Sequence, residues 1–124
     1  MEVQIFGTRK SADTRKALRF FAERRVRVHF VDLAERAASL GELKRFAQQF
    51  GVAALVDRGG KRFAELGLRA ARHSDERWLG ILVDDPGLLR TPLVRYQQRL
   101  TVGVAEDQWQ EWVASTRTSA SARP

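Results

Sequence analysis

The chain has 124 residues, 44% of them hydrophobic and 30% charged, with a formal net charge of +7. That is enough for one domain with one core and too little for two ordinary domains, and no apolar run approaches the ~18 residues that a membrane-spanning helix needs. The absence of cysteine excludes disulfides, thiolate-held zinc and iron–sulfur clusters, and the two histidines, His29 and His73, sit in no metal-ligand spacing, so no bound metal or cofactor is expected.

In chain order, Val3–Phe6 reads as a first strand. Ala12–Arg24 predicts a helix in which Thr14, Ala17, Leu18 and Phe21 recur at helical spacing while arginines and lysines fill the other face. Val26–Val31 alternates as Val-Arg-Val-His-Phe-Val, a second strand with Val26, Val28 and Phe30 on one face. The helix between them is a long enough crossover for the two strands to run parallel. Ser39-Leu40-Gly41-Glu42 is a capping-box pattern that opens a helix to about Phe50, ended by Gly51. Val52–Val56 is a short apolar run, Arg58–Lys61 a turn, and Phe63–Leu68 a short helical turn closed at Gly67. Ser74 predicts the cap of a further helix through Trp78, Leu79 and Leu82, which stops before Pro86.

Leu88–Val94 is strand-like, but Pro92 has no N–H for a central ladder and so marks a strand start, an edge or a special turn. After a polar turn at residues 96–99, Leu100–Val104 predicts another strand. Residues 105 to about 115 predict a final amphipathic helix with Trp109, Trp112 and Val113 inward. Residues 116–124, rich in Ser, Thr, Ala and Arg, predict a disordered tail. The order is β-α-β, a helical insertion over about residues 38–86, then β-β-α. This is one α/β domain over residues 1–115 with a mixed sheet.

The basic charge suits anionic partners in general, but the arginines are scattered along the chain, and the plain reading is a solvated surface. No basic stripe interleaved with aromatics is present. Phe20, Phe21, Phe46, Trp78, Trp109 and Trp112 fall at helical spacing, which predicts core and not base-stacking platforms. The N-terminus lacks a basic region followed by an apolar stretch, so no signal peptide is read and the cytoplasm is the expected compartment.

The most informative segment is residues 5–18, a strand, a small loop and a helix with Ser11 at the junction. A group at a helix start meets unpaired N–H donors and the positive end of the helix dipole. A thiol there would lose its proton more readily, helped by Arg9, Lys10, Arg15 and Lys16, and an anion would be held whatever the nucleophile. A serine hydroxyl cannot form a disulfide and needs a neighbouring base to attack. No Ser-His-Asp spacing supports His29, read as a strand-surface residue, or His73, read as a loop residue. Ser11 is thus open to two readings, a helix N-cap and a nucleophile position.

Four features make the chain resemble the arsenate reductase-like family, which includes the Spx transcription regulators and YffB-type relatives. They are Ile5-Phe6-Gly7 followed four residues later by Ser11 and then Arg15-Lys16-Ala17; Val31-Asp32-Leu33 followed by the Ser39–Glu42 box; Phe63-Ala64-Glu65-Leu66-Gly67-Leu68; and Leu88-Leu89-Arg90-Thr91-Pro92-Leu93-Val94. The resemblance covers about residues 2–114 and implies a thioredoxin-like fold with a helical insertion. It implies that position 11 is the nucleophile, natively cysteine or selenocysteine, and that serine replaces it here. It further implies that Thr8, Arg9, Lys10, Arg15, Thr91 and Pro92 bind substrate, and that Pro92 has a cis bond. An oxyanion or disulfide would be the substrate and glutathione or a glutaredoxin the reductant of a monomeric enzyme.

This chain departs from the family pattern in two places. Asp57 and Thr91 stand where oxyanion-binding arginines would fall, with Arg58 and Arg90 one position away and Arg95 and Arg99 further on. A one-residue shift in a strand turns the side chain to the other face. The alternative is a non-catalytic, Spx-like module that docks on a protein such as RNA polymerase. The Cys-x-x-Cys of that group is replaced by Ser11 and Thr14.

Overall fold

The computed structural model describes the backbone of residues 1–121, with side chains described through residue 117. Four strands, β1 (Glu2–Gly7), β2 (Arg27–Asp32), β3 (Leu93–Tyr96) and β4 (Arg99–Val102), form one mixed sheet in the order β2-β1-β3-β4. The β1–β2 pair is parallel, as expected, with α1 (Ala12–Glu23) as its crossover. β3 and β4 are antiparallel neighbours.

The central strand β1 is covered along one face and, at its Phe6 end, on the other, and the alternation of its side chains divides the core. Val3 and Ile5 pack against α1 and the last helix, α5 (Glu106–Ser121), with Phe21, Val94, Trp112 and Val113. Trp109 is the anchor there: it is fully buried, its indole N–H donates to Thr101 Oγ1 at 2.8 Å, and its ring lies 5.4 Å from both Phe20 and Phe21. Such a ring packs well inside only when its N–H finds an acceptor. Phe6 points the other way, with Val31 and Leu93, into the core beneath the helical insertion. Val26, Val28 and Phe30 share the α1 face of the sheet, as the alternation predicts.

The insertion is built from the signals read in the sequence. In α2 (Leu40–Phe50) both bonds of the Ser39–Glu42 capping box form, and Gly51 ends the helix at φ +83°, where a side chain would be strained. A 3-10 turn (Val52–Leu55), the short α3 (Lys61–Glu65) and α4 (Asp75–Asp84) follow; the Arg77 N–H donates to the Ser74 cap at 3.1 Å. No helix among the described residues is long and apolar enough to cross a membrane.

Three expectations are corrected. The strand expected over Leu88–Val94 begins only at Leu93: Pro86–Leu88 is a 3-10 turn, and Leu89 makes a lone bridge to Val56. Buried leucines mimic a strand there, but the ladder cannot start before Pro92, which has no N–H to give. β4 covers Arg99–Val102 and not Leu100–Val104, because Gln97 and Gln98 alone make the turn and the ladder ends at the next pair in register, where the Gly103 N–H donates to Pro92 O at 2.8 Å and Pro92 has no N–H to return. The last helix runs past residue 115 into the segment expected to be a disordered tail. Two tertiary bonds hold its continuation: the Tyr96 hydroxyl meets Thr116 Oγ1 at 3.0 Å, and Arg117 Nη2 donates to Arg24 O at 3.2 Å; within the helix, Thr116 Oγ1 donates to Trp112 O at 2.9 Å. Residues 122–124 of that expected tail lie outside the described residues.

Candidate active site at the start of the first helix

Strand β1 ends at Gly7 and the chain must turn at once into α1. The Ser11 N–H donates to Thr8 O at 3.1 Å and closes that turn. Gly7 is required here: a Cβ would run into both γ-atoms of Thr14, which stands on the first turn of α1 directly against it. Thr14 is fully buried, and its hydroxyl has no hydrogen-bond partner among the described residues. This contact sets how closely the helix start approaches the strand.

Ser11 is half-buried and serves as the N-cap of α1, its Oγ accepting from the Thr14 N–H at 3.2 Å. A second hydroxyl reaches the same oxygen from 80 residues away: Thr91 Oγ1 donates to Ser11 Oγ at 3.4 Å, a long bond. The Thr91–Pro92 peptide is cis, as the resemblance implies, and Pro92 is buried beside the site. The arrangement is an oxygen on a helix N-terminus, flanked by a neutral hydroxyl and by the backbone on either side of a proline. Chemically it can hold an anion or a thiolate, because the first-turn N–H groups lack intrahelical partners.

The other expected site residues divide. Thr8, half-buried, closes the loop through its carbonyl. Arg15 stays at the junction, where its Nη1 donates to Arg9 O at 2.7 Å and ties the loop to the helix. Arg9 turns away: its guanidinium lies 4.9 Å above the Phe30 ring, over the edge strand β2. Lys10 is exposed and makes no hydrogen bond or ion pair among the described residues. Lys16 pairs with Glu106 at 3.4 Å.

None of the arginines near the family positions bonds Ser11. Arg90 lies along Gly103, Arg58 stacks 5.8 Å from the Phe63 ring, Arg95 donates from Nε to Gln97 O at 2.7 Å, and Arg99 is exposed on β4. Asp57 folds against Gly60. His29 is exposed on β2 and His73 stands edge-on to Trp78 at 5.0 Å, so no base is hydrogen-bonded to Ser11 among the described residues. Sequence reasoning passed over Asp13, a carboxylate in the first turn of α1. It interacts favourably with the helix dipole and competes with any incoming anion. Its place two residues after a serine cap was the available signal.

The profile of the ArsC family matches residues 6–112. The uncharacterized protein YusI of Bacillus subtilis (strain 168) is 27% identical over 115 residues, which cover 90% of this chain and 98% of that one. Among solved structures, the YffB protein superposes with a TM-score of 0.81 at 19% identity, covering 88% of this chain and 96% of that one. An arsenate reductase from Vibrio cholerae superposes with a TM-score of 0.77 at 25% identity, covering 90% of this chain and 97% of that one. The chain therefore belongs to the ArsC family and has its thioredoxin-like fold, with the loop between β1 and α1 inside the matched region, near its start.

Proposed function

We propose that this protein has the frame of an arsenate reductase-like thiol or selenol oxidoreductase, with position 11 as its nucleophile position. The observation that carries this reading is the seat of the Ser11 oxygen. It lies on the α1 N-terminus, in hydrogen-bond reach of Thr91 Oγ1, beside a cis proline. A sulfur or selenium in that seat would be held as the anion by the same N–H groups. Serine in its place leaves the chain as written inactive in redox chemistry. We read it as replacing a native cysteine or selenocysteine, a reading that a serine codon in the native gene would contradict.

With one redox-active residue and no resolving thiol in the chain, the cycle runs through glutathione or a glutaredoxin in the cytoplasm. The thiolate attacks the disulfide bond of a glutathione mixed disulfide. It takes up one sulfur, and the other leaves as a thiolate that is then protonated. A second glutathione thiolate attacks the new mixed disulfide, releases the protein thiolate and departs as oxidised glutathione. Arsenate reduction, the activity named for the Vibrio cholerae relative, is less well supported as a substrate class. Thr91 is neutral where a cation would neutralise the oxyanion, and Arg58 and Arg90 are engaged elsewhere. Disulfides of small thiols are the better match to a neutral wall.

The test is the Ser11→Cys protein incubated with oxidised glutathione and weighed by mass spectrometry. One glutathione per chain, removed by added reduced glutathione, is expected. No adduct would favour the second reading, a binding module resembling Spx, which the satisfied cap at Ser11 and the apolar burial of Thr14 support. A monomer carrying a bound RNA polymerase subunit from the native host would then be the expected outcome of a pull-down.

A further inference from the structure

One face of the sheet is only half covered. Phe6, Val31 and Leu93 lie under the insertion, but further along the same face Gln4, His29 and Arg95 stand directly across from one another, His29 exposed and Gln4 and Arg95 half-buried. This is the end of β1 away from Gly7 and Ser11. A groove of about 480 Å³ opens there between α2 and the β3–β4 hairpin, lined by Arg45, Gln48, Gln49, Arg95, Gln98 and Leu100. A smaller hollow of about 280 Å³, with Glu2, Gln4 and His29 in its wall, shares Arg95 with it.

We propose that this groove docks an acidic stretch of a partner polypeptide, a function separate from the chemistry at position 11. Neither Arg45 nor Arg95 has a carboxylate within ion-pair distance among the described residues. Arg95 is held in place by its Nε bond to Gln97 O, which leaves both terminal nitrogens with donors to spare. A planar guanidinium presented this way matches a carboxylate bidentately. The three glutamines of the wall carry both donors and acceptors, as an extended peptide backbone requires. Glu2 is the sole acid lining either hollow among the described residues. The His29 imidazole is the one ring in their walls among the described residues, and no Phe, Tyr or Trp lines them, so the row of large stacking platforms that single-stranded nucleic acid uses is missing. The net charge of +7 steers acidic partners toward the whole molecule; the groove supplies the place where they fit.

The experiment is fluorescence anisotropy of the full chain with a fluorescein-labelled decamer rich in glutamate, run beside a labelled oligothymidine of similar length. Arg45 is exposed on a helix, so Arg45→Glu leaves the fold intact by circular dichroism. Saturable peptide binding is expected, weakened about tenfold or more by Arg45→Glu and by Arg95→Ala, as loss of a charge-assisted pair requires. The Arg69→Ala/Arg77→Ala protein removes the same amount of positive charge from exposed sites elsewhere and is expected to bind as the parent does. Equal weakening by that control pair, no saturable peptide binding, or tighter oligothymidine binding lost with Arg45→Glu would each overturn the proposal.

Discussion

Gly7 and Thr14 form the contact that seats the α1 start on the sheet, and a double-mutant cycle tests it. In Gly7→Ala the new Cβ falls 2.7 Å from Thr14 Cγ2 and closer still to its hydroxyl, against an ordinary carbon–carbon contact of about 3.5–4.0 Å. Strand and helix must therefore separate by about 1 Å or Thr14 must leave its rotamer. Overpacking of this kind costs about 1–3 kcal/mol, offset by about 0.4–1 kcal/mol from the stiffer unfolded chain. Thr14→Ala removes both offending atoms together with a buried hydroxyl that has no partner among the described residues, so its own cost is expected to be small, about 1 kcal/mol or less. In the double variant the clash is largely gone, and the two changes should fail to add by about 1–2 kcal/mol. Urea unfolding followed by tryptophan fluorescence measures all four corners. Strict additivity would refute the idea that Thr14 against Gly7 sets the approach of α1 and with it the position of Ser11.

Further outcomes are expected elsewhere. Trp109→Phe loses the indole donor to Thr101 and leaves a gap in the aromatic cluster, so it should lower stability by about 2–3 kcal/mol in the same unfolding assay. Ser39→Ala removes the hydroxyl half of the capping box and leaves the backbone N–H bond to Glu42; it should cost about 1 kcal/mol, with a loss of helical circular dichroism confined to mild denaturant. Ser11→Ala removes the α1 cap and the acceptor for Thr91 and should cost a similar ~1 kcal/mol; a neutral result would mean that water replaces the cap without penalty.

Much of this fold was legible because its punctuation is local. Ser39 with Glu42, Ser74, Gly51 and the alternation through Val26–Val31 each state their element within a few residues, and each appears where expected. The departures arise where distant contacts decide. Leu88 and Leu89 are as apolar as strand residues, and hydrophobicity alone does not separate a buried 3-10 turn from a ladder. Thr116 and Arg117 belong to a segment that composition reads as a tail, yet Tyr96 and Arg24 hold it.

At the site, spacing located Ser11 as a cap. The approach of Thr91 across 80 residues came through family resemblance and not through any local signal. The turn of Arg9 onto Phe30 and of Arg90 along Gly103 are side-chain choices made by the folded surroundings, so their distance from the reaction centre was not readable in the chain.

The central claim is that the α1 N-terminus is built to hold a sulfur or selenium anion. Its most direct test is the ionisation of the thiol in the Ser11→Cys protein, followed by thiolate absorbance against pH, folded and in denaturant. The account predicts a folded-state pKa well below the ~8.5 of free cysteine, returning to that value on unfolding. An unchanged or raised pKa in the folded protein would contradict it and leave the junction as a helix cap alone.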